Sequence, residues 1–550
     1  MTSSARPEVL VILSWLLLPS ITLLLGLLAR RGCPEVPSLQ RALESRRAPW
    51  LVGLATSLFL TWLWGSLREP GFIHDEVAYL LQARIFATFR LAADPPPLPE
   101  FFEQYQVFVT PRLAPKYPPG HGLALVPGVW LGLPGLMPVV LHGAAAGLLF
   151  ALARRLAGGG VAALTWVIWI IAPRLNSWRC TYLSQSTSTA LWMLGAWLLL
   201  EWWEGGRTRH LVGVALVVGG LAVTRPWTAL AYATPLAVVV LVGVWRRRAF
   251  RPLLLAVGAG SVVLALIPAW NQASLGDWRL LPYSRYSAVY FPYDKVSFDF
   301  DASPAQRALS PDMQRFDADM RKIFRDHTTN LPRQLVDRLV FAGSELWGAP
   351  GRGALPLFLL IGLFGLDPRG RFAMAWVLSP FAWYAAFGHP PNWAVYYHEA
   401  HTILAFVVAL GLCRSLSFLA TGSLRSTEGA AGHLLPVVAL GLLGVAAGLW
   451  SAATLRPEIQ SRTAYHRRFH ELLASIPDPP AIVFVRYGPH HNPHRSLIEN
   501  PPDHRQAPVW VVRDRGEDDR RLLDLFPERA GYLFDDDSWT LYRLVPTPPR

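Results

Sequence analysis

Charge is scarce in this sequence: Asp, Glu, Lys and Arg make up 16% of its 550 residues, where a soluble protein carries about a quarter. A chain this long with so little polar surface cannot be covered as a water-soluble body. Cysteine is scarcer still, with Cys33, Cys180 and Cys413 far apart and no CxxC spacing. That excludes a disulfide framework and the usual zinc-site patterns. Lysine is almost missing, because Lys116, Lys295 and Lys322 are the only three among 51 basic residues. The C-terminal segment has no glycine pattern of the kind that cradles a nucleotide phosphate.

What is present is apolar. Hydrophobic residues make up 52% of the chain, with 23 Trp and a mean hydropathy of +0.28. Long uncharged stretches lie at 9–29, 49–66, 134–153, 160–175, 187–203, 210–224, 227–245, 252–270, 353–366, 372–388, 401–420 and 433–452, which predicts about twelve membrane helices. The first is too long for a signal peptide, lacks a small-residue cleavage site and ends in Ala29-Arg30-Arg31. Arginines cluster on alternate connections: 30–47, Arg154 and Arg155, Arg207 and Arg209, 246–251, Arg369 and Arg371, Arg414 and Arg425. The positive-inside rule makes those connections cytoplasmic and accounts for the net charge of +13 without a nucleic-acid partner. The segments 67–133, 176–186, 271–352, 389–400 and all after 453 then face out of the cell. The expected location is therefore multi-pass in the plasma (inner) membrane.

The first outer segment carries two adjacent acids, Asp75 and Glu76, ahead of an apolar helical run, then a Pro-rich break at 94–100, then Lys116 within KYPPG. An acid pair in that position reads as a helix cap or as a base, and a lysine beside prolines as an interfacial anchor or a phosphate partner. Pro118, Pro119 and Gly120 are expected to fix a turn that displays the ammonium at the membrane edge. No ATP or nucleotide-sugar is available on the outer face, so group transfer there needs a donor delivered within the membrane. The Thr224-Arg225-Pro226 turn adds a second cation, read either as a kink or as a cavity residue.

The order acid pair, helix, Pro-rich break, KYPPG resembles the GT-C superfamily of integral-membrane glycosyltransferases, in particular the branch of protein O-mannosyltransferases and lipid A aminoarabinose transferases. His74-Asp75-Glu76, VAYLLQARIFA (77–87) and KYPPGHG (116–122) carry the likeness, which continues through 138–159, 181–192 and 221–235. Two departures stand out: Ser184, Gln185 and Ser186 where relatives often have an acid, and a 392–401 turn without their arginine. The resemblance implies a mostly α, polytopic GT-C fold over residues 1–452. It implies an inverting enzyme that moves a sugar from a polyprenyl-phosphate donor to an acceptor glycan, lipid or protein at the periplasmic face. Asp75 and Glu76 would be its catalytic acids, and Lys116 and Arg225 its donor-phosphate ligands. His74, Tyr117, His121, Tyr182, Gln185, Tyr397, His398 and Glu399 would line the substrate cavity. A divalent metal is left open, since His74, Glu76, His398, Glu399 and His401 all fall on the outer side, although His398 to His401 lack HExxH spacing. A secondary transporter and a glycan ligase using a lipid-diphosphate donor are the competing classes.

The 271–352 loop carries Tyr283, Tyr286, Tyr290 and Tyr293, followed by an amphipathic stretch at 310–347 suited to helices on the outer interface. Beyond 453 the composition becomes that of a soluble unit. AIVFVRY (481–487), PVWVVRD (508–514) and GYLFDDDSWTLYRL (531–544) read as strands and DDRRLLDLF (518–526) as a helix, predicting a small extracytoplasmic α/β domain over 453–550. The loop GPHHNPH (488–494) reads as solvated, with metal binding the competing reading.

Overall fold

The computed structural model describes residues 7–32, 36–347, 353–364, 366–422 and 434–544; Cys33 and Arg425 lie outside them. The chain is mostly helical, as uncharged runs must be where no water is present to satisfy backbone amides and carbonyls. Among the described residues five helices are long and apolar enough to cross a membrane: Leu136–Ile170, Pro226–Arg247, Phe250–Leu275, Ala400–Thr421 and Leu434–Ala474. Leu16–Arg30, Ala48–Trp64 and Thr208–Ala222 are shorter apolar helices.

The helix Leu136–Ile170 is bent back on itself at Gly158, whose φ of 85° and ψ of 169° suit a residue without a Cβ. Its contacts with the chain before it give the direction. Ser57 Oγ donates to the Val139 carbonyl at 3.3 Å, the Gly159 amide to Glu44 at 2.8 Å, and Trp166 Nε1 to Thr56 at 2.9 Å. The first arm therefore runs antiparallel to Ala48–Trp64 and the second returns beside it, so the apolar runs 134–153 and 160–175 form the two arms of a hairpin. Arg154 closes the turn onto the Ser45 carbonyl at 2.6 Å. Gly143 lets the first arm come close, since a Cβ there would sit 2.7 Å from the Gly53 carbonyl oxygen.

At the end of the bundle that carries Asp75, the first outer segment folds as the helix His74–Ala87, a two-residue antiparallel pair of Val107–Phe108 with Ala114–Pro115, and the helix Pro119–Trp130. The amphipathic 310–347 stretch divides into two helices with different fates. Pro311–Thr329 buries Met313, Phe316, Met320 and Phe324 against Tyr105, Phe108, Tyr286 and Tyr290, whereas Leu331–Trp347 leaves Val336, Leu339 and Val340 exposed. Only the second fits the expected surface helix. The first is a packing element.

Near the C-terminus, Val509–Arg513, Ala481–Arg486 and Ala530–Asp535 form a parallel three-stranded core, and Thr540–Arg543 adds an antiparallel edge after the Asp-rich turn. Ala481, Val483 and Val485 pack with Phe469 of the helix Ala464–Ala474. Ile482 and Phe484 pack instead with Leu522, Trp510 and with Phe101 and Phe102 of the first outer segment. Strands covered on both faces read as continuous apolar runs, which explains AIVFV. The sheet thus shares a hydrophobic core with the first outer segment. A buried ion pair reinforces this: Arg513 Nη1 lies 2.5 Å from Asp312 Oδ1, and its Nε donates to the Glu103 carbonyl at 2.6 Å.

Candidate active site

Neither acid of the first pair caps its helix, because Ile73 occupies the N-cap position and no side-chain cap is formed. Consecutive helical residues point about 100° apart, and here that separates the two carboxylates. Asp75 keeps 29% of its side chain exposed, accepts a hydrogen bond from the Tyr117 hydroxyl, and has His74 Nδ1 3.2 Å from its Oδ2. Burial alone would raise its pKa. His74, the Tyr117 hydroxyl, Lys116 and His494 outweigh that and hold the carboxyl below its ordinary value. Glu76 turns into the protein, 1% exposed, where its Oε2 accepts from the Tyr182 amide at 3.3 Å and its Oε1 has no partner. Burial pushes it up to about 8, against the pull of the Tyr182 amide and Arg462, so it is mostly a neutral acid at pH 7. The two expected catalytic acids therefore have opposite characters. Asp75 is an open carboxylate, and Glu76 is a buried packing group.

Lys116 requires a correction to the expected display at the membrane edge. It is 2% exposed, and its Nζ lies 2.9 Å from Asp294 Oδ2 and 4.2, 5.2 and 5.6 Å from the ring centres of Tyr283, Tyr286 and Tyr117. The extended Ala114–Pro115 pairing carries the side chain inward, and aromatic faces and one carboxylate replace its water. Tyr283 donates to the other oxygen of Asp294 at 2.8 Å.

Arg225 forms a second group with the 392–401 turn. Its Nη1 is 3.4 Å from Glu399 Oε1 and 3.3 Å from the Val395 carbonyl, and Glu399 also accepts from Ser188. Arg225 lies 5.8 Å from the Tyr396 ring centre, and burial together with the charges of Tyr384, Asp75 and Asp294 holds the Tyr396 hydroxyl well above its ordinary pKa against the pull of Arg225.

Several expected cavity residues have other duties. His121 joins two helices: its Nε2 donates to the Tyr182 carbonyl at 2.7 Å and its Nδ1 accepts from Thr187 at 2.8 Å. Tyr182 sends its hydroxyl to the Glu69 carbonyl at 2.7 Å, and Gln185 ties back to the Trp178 carbonyl at 2.9 Å. Tyr397 stacks on Phe381 at 4.1 Å and pairs with His389. His398 is fully buried beside His142, with neither ring nitrogen partnered. Among the described residues no group of three or more His, Cys, Asp or Glu is placed to hold a metal ion.

Four residues of the site escaped the sequence reading. Tyr283, Tyr396 and His494 fell in stretches that were noted, the tyrosine series, the 392–401 turn and the GPHHNPH loop, but not as partners of Asp75 or Lys116, and Asp294 carried no signal beyond its residue type. The GPHHNPH loop is not solvated throughout: His494 lies edge to edge with His74, ring centres 5.2 Å apart, and His491 is buried against Asp536 at 3.0 Å.

No family model and no curated relative matches the chain. Among solved structures it is similar to ArnT from Cupriavidus metallidurans bound to undecaprenyl phosphate, at 17% identity and a TM-score of 0.46 over 90% of this chain and 91% of that one. It is also similar to the Archaeoglobus fulgidus oligosaccharyltransferase, at 13% identity and a TM-score of 0.41 over 84% of this chain and 65% of that one. At these identities and TM-scores the likeness carries no argument about chemistry, and the functional reading rests on the residues of this chain.

Proposed function

We propose that the chain is an integral-membrane, inverting glycosyltransferase of the GT-C kind, with about twelve spans and its site at the extracytoplasmic face. A polyprenyl-phosphate monosaccharide is the donor, its tail between helices and its sugar beside Asp75. The observation that carries the reading is the open Asp75 carboxylate, hydrogen-bonded to Tyr117, whose neighbour in sequence is the buried cation Lys116. A base and a phosphate partner are thus joined by one residue.

In the reaction the acceptor hydroxyl oxygen bonds to the anomeric carbon while the bond from that carbon to the lipid phosphate oxygen breaks. The hydroxyl proton passes to Asp75, and the electron pair of the broken bond leaves on the phosphate. The proton moves late, once bonding to carbon has made the acceptor oxygen acidic, so a carboxylate below its usual range suffices. Lys116 offsets the growing phosphate charge, with Arg225 as the second cation. Glu76 takes no proton in this scheme and holds the Tyr182 amide.

The test is transfer from a polyprenyl-phosphate sugar by the purified chain in lipid. Asp75→Asn preserves volume and removes the base, with an expected loss of about 10²–10⁴-fold. Wild-type turnover in Asp75→Asn would falsify the assignment.

A further inference from the structure

The C-terminal sheet unit has no role in the scheme above, yet one of its side chains reaches the base. His494, from the loop after the strand Ala481–Arg486, lies edge to edge with His74, with ring centres 5.2 Å apart and planes 18° from parallel. Its Nδ1 lies 3.2 Å from His74 Nε2, and its carbonyl accepts the His74 amide at 3.0 Å. Tyr105 and Phe316 enclose the His74 ring, which is 4% exposed.

The protons on this pair follow from the two groups that face the His74 ring nitrogens, Asp75 and His494. His74 is neutral, since burial, aided by His494 and Lys116 against the opposing charge of Asp75, brings its pKa down to about 4. It therefore has one ring proton to place. Its Nδ1 stands 3.2 Å from Asp75 Oδ2, where two lone pairs would repel, and its Nε2 stands 3.2 Å from His494 Nδ1; a proton on His74 Nδ1 with a donor on His494 satisfies both contacts at once, so the carboxylate and His494 fix the tautomer jointly. His494 Nδ1–H is the donor at Nε2. The buried Gln106 amide agrees with this arrangement: its Nε2 lies 3.5 Å from His74 Nδ1 while its Oε1 has no partner, and exchanging the two ends of the amide satisfies the oxygen.

We infer that His494 is a positioning residue for the proposed transfer, holding His74 in the Nδ1–H tautomer that aims and keeps ionised the Asp75 carboxylate, so that the C-terminal unit completes the active site. This rests on the glycosyltransferase reading for its kinetic part and on geometry alone for the tautomer. The logic is that of an orienting group behind a catalytic side chain, with a histidine standing between orienter and carboxylate. Around His494 the other charged groups are Asp75, through His74, and Asp319 of the helix Pro311–Thr329.

Two substitutions separate donor from ring. His494→Phe keeps a flat ring edge beside His74 and removes the donor. His494→Asn loses the ring but can place an amide N–H near the Nδ1 position. The backbone contact to His74 is common to both. Expected for His494→Phe are a fall in kcat of about 10-fold or more with donor KM within about twofold, and an acid limb of the pH profile moved to higher pH, because Asp75 loses a donor to its charged form. His494→Asn recovers most of the rate and returns the limb towards wild type. Ring-¹⁵N histidine NMR of the full-length protein in lipid, with His74 assigned by His74→Gln, gives a readout that needs no turnover. The expected result is Nδ1–H in wild type and a changed tautomer in His494→Phe. An unmoved acid limb and unchanged tautomer in His494→Phe overturn the inference, as does a His494→Asn no better than His494→Phe. If wild type transfers no sugar while the tautomer responds as expected, the glycosyltransferase reading fails and the relay from His494 to Asp75 stands.

Discussion

Asp294→Asn tests how Lys116 meets a lipid phosphate. The pair is buried, with Nζ to Oδ2 at 2.9 Å and side chains 3% and 16% exposed, and the ammonium sits 4.2 Å from the Tyr283 ring centre. Removing one partner of a buried ion pair costs about 3–5 kcal/mol. The partial opening of Asp294 and the aromatic face that stays behind bring this to about 2–3 kcal/mol. A bound monophosphate would restore an anion beside the ammonium and recover much of that loss. In wild type the same phosphate must displace or share Asp294. Asp294→Asn should therefore bind a polyprenyl monophosphate more tightly, by about tenfold if half of the lost interaction returns, since 1.4 kcal/mol is a factor of ten. It should also be the less stable protein without lipid, with the gap narrowing as the lipid saturates the site. The assay is thermal unfolding in nanodiscs over a lipid-phosphate titration, with binding measured in parallel. Equal destabilisation with and without lipid, or weaker binding by the variant, would refute the idea that Asp294 and a phosphate compete for Lys116.

Lys116→Ala should lower kcat by about 10²-fold or more with a smaller loss of donor affinity, and Lys116→Arg should restore part of it, as steady-state transfer will read out. Glu76 gives a pH test with a defined sign. Its pKa is raised from 4.5 to about 8 on folding, so the folded state holds the extra proton; stability falls as pH rises from about 4.5 to about 8 and is flat in this group below that window. Glu76→Gln should flatten that slope in unfolding measurements and reduce transfer far less than Asp75→Asn; an unchanged slope would show that Glu76 does not titrate there. Topology can be read with a membrane-impermeant thiol reagent on intact spheroplasts, in a background without native cysteines. Asn492→Cys should label and Arg247→Cys should not, and the opposite pattern would place the Asp75 end in the cytoplasm.

The first outer loop was legible because its order of residue types is local. Asp75, Tyr117 and Lys116 lie within 42 positions of one another and meet in the structure, through the hydrogen bond of Tyr117 to Asp75 and the turn into Pro119–Trp130. The apolar runs were legible for a simpler reason: a membrane leaves a helix as the way to satisfy an isolated segment's backbone, so length and composition suffice. The different fates of Asp75 and Glu76 were not legible. Sequence shows two carboxylates side by side, and only the packing of Tyr182 against one face of the helix decides which of them loses its water.

The partners of those residues belong to tertiary structure entirely. Asp294 comes to Lys116 across 178 positions and His494 to His74 across 420, and although the GPHHNPH loop is visible in the sequence, nothing local to either residue names its partner. What the sequence determined by itself was that the chain is apolar and helical, and that an acid and a lysine sit in one connecting segment, since these follow from composition and near-neighbour order. Whether that lysine is exposed or caged, which acid stays open, and which distant side chains orient them depended on contacts between segments far apart in the chain. Such contacts are fixed by the joint packing of the Tyr283–Tyr293 loop, the helix Pro311–Thr329 and the C-terminal sheet, and no local stretch of sequence specifies them.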